Sequence, residues 1–193
     1  MVNELKHPFT GDAVAPLRAG QRVRVSGPLI TARCRVHQAL LDGTASPVKL
    51  DGAAILHASP FVVREDQRWV VRAAGCTGLG QVDTYVAAFI ERFRMKVIIG
   101  MGSLGEATRR ACRRHGCVYL QAVGGAGSML TECIRGVSGV HFLREFGAAE
   151  AMWVLETENL EAVVAIDTHG RSLHRRVQAA SHRAMLKLAA AQA

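Results

Sequence analysis

The chain has 193 residues, of which 49% are hydrophobic and 21% charged, and it carries a formal net charge of +8. That balance excludes a disordered or low-complexity chain, and no apolar run approaches the ~18 residues of a membrane span. Aromatic residues make up only 5%, too few for the stacking platforms that bind single-stranded nucleic acid.

A chain of this length can bury a substantial core in one piece, and no linker interrupts it, so a single domain over residues 1–193 is expected. The opening MVNELKHPFT lacks the apolar segment of a signal peptide, which gives a cytoplasmic expectation with neither membrane nor nucleic acid as partner. Cys34, Cys76, Cys112, Cys117 and Cys133 form no C-x-x-C pair, and their odd number does not suit a disulfide framework. Reduced thiols are expected, with no complete metal site in this chain.

In RAGQRVRVSGPLITAR, Val23 and Val25 alternate with Arg22 and Arg24 before Gly27-Pro28, which reads as a strand with a bend. GAAILHASP and WVVRAAG are further short strands, so the first half reads as β-rich. Asp83 stands where a helix N-cap is expected, and Val86, Phe89, Ile90 and Phe93 then share one helical face. KVIIG is a continuous apolar, β-branched run of the kind found in buried parallel strands.

Ser103 and Glu106 have the spacing of a capping box. The helix they open would pack Ala107, Ala111 and Cys112 inward, turn Arg109, Arg110, Arg113 and Arg114 toward solvent and stop at Gly116. CVYLQAV follows as a strand, completing a right-handed, parallel strand-helix-strand unit, and a second glycine-rich turn runs from Gly124 to Gly127. AMWVLETEN and EAVVAIDTHG are two later strand-like runs. After Arg171 come Arg175, Arg176, Arg183 and Lys187 and no acidic residue, which reads as a solvated basic helix. The fold class is mixed α/β.

Gly100-Met-Gly102-Ser-Leu-Gly105 matches the G-x-G-x-x-G pattern formally. A dinucleotide site also needs a carboxylate about 20 residues on, for the ribose, and YLQAVGGAG has none there. The more general reading is that the two glycine turns offer backbone amides to a carboxylate or phosphate; glycines that only make tight turns are the alternative.

Six segments in order, VRVSGPLITARCRVH, GAAILHASP, GCTGLGQVDTY, VIIGMGSLGEATRRAC, AVGGAGSMLTECI and REFGAAEAMWVLETENLEAVVAIDTHG, resemble the β subunit, or C-terminal domain, of the iron-sulfur hydro-lyases. These are the class I fumarases and L-tartrate dehydratases. The resemblance implies a single swivelling β/β/α domain that works with an α partner, as an αβ heterodimer or (αβ)2 assembly. It also implies that a [4Fe-4S] cluster is bound by the α partner and not by this chain alone. The implied reaction adds or removes water at a 2-hydroxy acid, the open iron drawing off the hydroxyl while a base takes the neighbouring proton.

The same resemblance assigns residues. Thr31, Arg33 and His37 match T-x-R-D-x-x-H, with Cys34 in place of the acid, and Arg33 would clamp a carboxylate with its planar fork. Gly75, Thr77 and Asp83 match G-P-T-T-x-x-R-M-D, where Thr77 takes the place of the base, Cys76 replaces the proline and Gln81 the arginine. Met101, between Gly100 and Gly102, holds the lysine position of G-K-G. Gly100, Met101, Gly102, Gln81, Gly124 and Gly125 would therefore line the substrate, but two cations are missing. Each charge-assisted bond to a carboxylate is worth ~1.5–3 kcal/mol, so the departures imply an altered substrate. His57 in HASP and His169 in DTHG are further polar candidates, with packing or capping histidines as the alternative. Cys76 would be a reactive thiol if its pKa were lowered. Outside hydro-lyase activity, a non-catalytic module that binds small acids or a partner keeps the same fold, and a nucleotide-binding protein rests on the glycine pattern alone.

Overall fold

The computed structural model describes residues 2–78, 83–122 and 127–190; Gln81, Gly124 and Gly125 lie outside the described residues. In chain order the first part holds β1 (Asn3–Lys6), α1 (Gly11–Val14), β2 (Arg22–Thr31), α2 (Cys34–Leu41), β3 (Ala54–Leu56), β4 (Ala58–Glu65) and β5 (Arg68–Cys76). The second holds α3 (Asp83–Phe93), β6 (Val97–Gly100), α4 (Glu106–His115), β7 (Val118–Ala122), α5 (Gly127–Glu132), β8 (Ile134–His141), α6 (Leu143–Phe146), β9 (Met152–Ile166) and α7 (Leu173–Ala190).

Seven strands form one mixed sheet in the order β1-β2-β3-β6-β7-β9-β8. Strands β1, β2, β3, β6 and β7 run parallel to one another, and the long β9 is antiparallel to β7, β8 and β2. Because β9 pairs with both β7 and β2, the strands β2-β3-β6-β7-β9 close into a ring. The helix α4 lies between the parallel strands β6 and β7.

Side chains alternate across a strand, and the ring uses that alternation to build two cores. Val25, Leu29, Leu56, Val97, Ile99, Val118 and Leu120 belong to one, where Ala58 and Ala74 of the β4-β5 hairpin and Leu130 of α5 also pack. Ile30, Ile55, Ile98 and Tyr119 belong to the other, under Val36 and Leu40 of α2, Phe89 and Ile90 of α3 and Cys112 of α4.

Several local expectations change in the folded chain. Gly27 sits within a single strand β2, at a register shift against β9, with φ +122°. A Cβ there would come within 2.6 Å of the His7 side chain, so only glycine lets β1 and β2 lie this close. AMWVLETEN and EAVVAIDTHG are one strand, β9, carried through Asn159 at φ +57°. CRVHQALL is the helix α2, and IRGVSGVH is the strand β8, neither of them expected from pattern. Asp66 and Gln67 both take positive φ in the two-residue turn between β4 and β5, the backbone that matches strand twist in a tight hairpin. The helix α4 ends as expected at Gly116 in the left-handed conformation. Among the described residues no helix is long and apolar enough to cross a membrane, and α7 has no buried residue.

Candidate active site

Three parallel strands end at the same place, the carboxyl edge where sheets of this kind bind ligands. Arg33 follows β2 and is the N-cap of α2, His57 is the single residue between β3 and β4, and Met101 and Gly102 follow β6. Thr77 enters from the end of β5. Its N–H donates to the His57 carbonyl at 2.9 Å, the His57 N–H donates to the Ile99 carbonyl at 2.7 Å, and Gly78 forms a parallel bridge with Met101. Backbone bonds thus lock three distant segments into one edge.

At the centre, Thr77 Oγ1 lies 2.7 Å from His57 Nδ1. The His57 side chain is buried, and burial pulls its pKa below the ordinary 6.5; the Arg33 charge adds to that, while the Thr77 backbone and the Glu150 carboxylate oppose it. Behind it, His37 is also buried, its ring 5.8 Å from that of His57 and 4.8 Å from that of Phe89. Neither His37 nitrogen has a partner among the described residues. Burial first, and His57 second, bring its pKa down to about 3. His37 is therefore a neutral packing residue under the site and does not reach its surface.

Arg33 is ion-paired: Nη1 lies 2.9 Å from Glu150 Oε1 and donates to the Ala149 carbonyl at 3.2 Å. Its Nε is buried without a partner among the described residues. Glu150 also accepts from the Arg35 N–H at the start of α2. Thr31, by contrast, is structural: its hydroxyl donates to the Ala151 carbonyl and accepts from the Trp153 N–H, pinning the start of β9.

The glycine motif proves to be occupied from within. The α4 N-cap is Gly105, with no side-chain cap from Ser103. Asp83, expected to cap its own helix, reaches across and accepts from the N–H groups of Gly105 at 2.8 Å, Ala107 at 3.2 Å and Thr108 at 3.3 Å. Glu106 pairs instead with Arg109 and Arg175. The anion that this helix start attracts is the protein's own carboxylate, and a dinucleotide phosphate would have to displace it. Gly102 takes φ +86°, and its carbonyl accepts from the Tyr119 hydroxyl at 2.8 Å.

Arg33, His57, Thr77, Gly100, Met101 and Gly102 are therefore brought to one edge. His169 is not: it is exposed in the turn after β9, and β9 runs antiparallel to β7, with Ile166 opposite Tyr119 near the start of that strand. Cys76 is no activated thiol, because burial pushes its pKa up to about 11. Cys34 is exposed and free, and no group of three metal-binding side chains occurs among the described residues. Glu150 and Tyr119 escape a reading of the sequence, since neither stands at a motif spacing from the residue it serves. Asp83 was visible as a helix-start signal, though for the wrong helix.

A family model described as "Fumarase C-terminus" matches residues 2–177. A protein of Geobacillus stearothermophilus provisionally named fumarate hydratase class I is 38% identical over 178 residues, which cover 92% of this chain and 34% of that protein. The chain thus spans about a third of the length of that relative. A Methanocaldococcus jannaschii protein, provisionally named L(+)-tartrate dehydratase subunit beta, is 30% identical over 88% of this chain and 89% of its own. The L(+)-tartrate dehydratase subunit beta of Escherichia coli K12 is 27% identical over 88% and 85%.

Proposed function

The chain belongs to the fumarase C-terminus family, and from that premise we propose that it is the β subunit of an iron-sulfur-dependent hydro-lyase, adding or removing water at a 2-hydroxy acid. The observation that carries the proposal is the Thr77 hydroxyl, held 2.7 Å from His57 Nδ1 on the edge that also bears Arg33. Two of the similar proteins are named as β subunits, which supports a separate α partner in an αβ or (αβ)2 assembly, against which this domain would swivel. The five cysteines are dispersed, and no group of three metal-binding side chains forms among the described residues. This chain's residues do not fit a [4Fe-4S] cluster, which the proposal assigns to the partner.

In this reading, the N–H groups of Arg33 not taken by Glu150 hold a substrate carboxylate. Gly102 leaves the adjoining wall bare, since a Cβ there would meet nothing within 4 Å. Thr77 Oγ1 exchanges a proton with the carbon next to the one bearing the hydroxyl. The site has little positive charge to spend, because Glu150 already pairs with Arg33 and neither Met101 nor Gln81 is cationic. A substrate with less negative charge than a 2-hydroxy dicarboxylate fits that balance. The same scarcity is the observation on the side of the second reading, a non-catalytic interaction module of the same fold. Anaerobic co-expression with an α-type subunit of the same enzyme family tests the proposal: a brown complex containing both chains is expected, and a colourless chain that captures no cluster-bearing partner contradicts it.

A further inference from the structure

A threonine hydroxyl is a feeble base, because its own proton must leave as it takes another. Thr77 has an acceptor in place. Its Oγ1 lies 2.7 Å from His57 Nδ1 and 3.4 Å from the His57 carbonyl, so the ring is the closer of the two. The imidazole is fixed, with its backbone bonded to Ile99 and Thr77 and its ring buried against that of His37. A hydroxyl bonded to a fixed imidazole is the arrangement that activates hydroxyl groups in unrelated folds.

Resting on the hydro-lyase reading, we propose that His57 is the positioning residue for Thr77, holding its hydroxyl through Nδ1 and taking its proton as Thr77 takes one from the substrate carbon. In dehydration the C–H bond beside the hydroxyl-bearing carbon breaks, and its proton forms a new O–H bond on Thr77. The former Thr77 O–H bond breaks, and that proton forms an N–H bond at His57 Nδ1. The C–H electron pair becomes the second bond of the alkene as hydroxide leaves with the C–O pair. Hydration runs each move in reverse, and no oxidant or reductant is needed.

The surroundings keep the ring ready. From α2, His37 faces it as a neutral group; from the β2-α2 junction and the segment before β9, Arg33 and Glu150 face it as an ion pair whose charges oppose each other. Burial dominates and holds His57 below the ordinary 6.5, hence neutral and able to accept at pH 7. The accepting form is lost only as pH falls through that lowered pKa, so kcat/KM should stay level down through 6.5 and fall below it.

The test uses the reconstituted complex, assayed from about pH 5 to about pH 8, as the native protein and with His57→Gln, Thr77→Val and both changes. His57→Gln is expected to lower kcat by ~10²-fold or more with little change in KM and to abolish the acid limb; the double variant should be no worse than Thr77→Val alone. Full kcat in His57→Gln, a loss confined to KM, or effects that multiply in the double variant would overturn the relay. Nitrogen-15 imidazole spectra of the native full chain need no folded variant. They should show Nδ1 bare and Nε2 protonated. A proton resident on Nδ1 overturns the relay while leaving the hydro-lyase reading intact, whereas a native complex inactive on every 2-hydroxy acid and enoate overturns both.

Discussion

Arg33 and Glu150 show why residue identity alone is an incomplete guide to a site. Arg33 is the carboxylate clamp that the family resemblance assigns, yet one arm of its fork is spent on Glu150 at 2.9 Å. Glu150→Gln keeps an acceptor for the Arg35 N–H and releases the guanidinium. The expected outcome is a KM for a dicarboxylate substrate lowered about tenfold, the scale of one charge-assisted bond, with kcat little changed; an unchanged KM would place the carboxylate elsewhere. His37 makes a separate prediction about stability. Its folded-state pKa is about 3 against an ordinary 6.5, so below pH 6.5 the unfolded chain binds a proton that the folded chain refuses. Stability contributed by the neutral ring is complete above 6.5 and declines as pH falls toward 3, by about 5 kcal/mol at full depth. Urea midpoints measured from pH 7 to about pH 5 should fall, and His37→Phe, beside Phe89, should flatten that fall.

Among the elements, α4 tests the distant cap. Asp83→Ala removes the acceptor of three N–H groups at the helix start, which should cost ~1–2 kcal/mol and lower Tm by ~2–8 °C. Ser103→Ala should leave Tm unchanged, because that hydroxyl makes no cap; calorimetry of the two variants decides between the caps. The same helix shows what a sequence exposes. Its C-terminus was legible because Gly116 alone suits a left-handed stop, and its flanking strands were legible as short β-branched runs. Its start was not, since a carboxylate 22 residues away leaves no local signature. For β9, AMWVLETEN and EAVVAIDTHG read as two strands, but β2 pairs on both sides of Asn159 and β8 and β7 bind the opposite edge. Tertiary pairing overrode the local signal. The helix α2 was hidden for the opposite reason: it buries a histidine among Val36 and Leu40, which obscures its apolar face.

At the scale of the whole molecule, the site is a product of topology. Residues at 33, 57, 77, 101 and 150 meet because β2, β3 and β6 end together and β5 and β9 deliver their neighbours to the same edge. Periodicity locates such strands but carries no information on which of their ends converge; that part of the site came from the family resemblance, and Glu150 from neither. The edge lacks a cluster-binding set of its own among the described residues, which makes the chain half of an active site in the proposed reading. Turnover of a panel of 2-hydroxy acids and their enoates by the anaerobic complex, native and Thr77→Val, tests that reading most directly. The expected result is turnover of at least one pair by the native complex and a kcat reduced by ~10²-fold or more in Thr77→Val. A brown complex that converts none of them, or one whose rate is untouched by Thr77→Val, would contradict it.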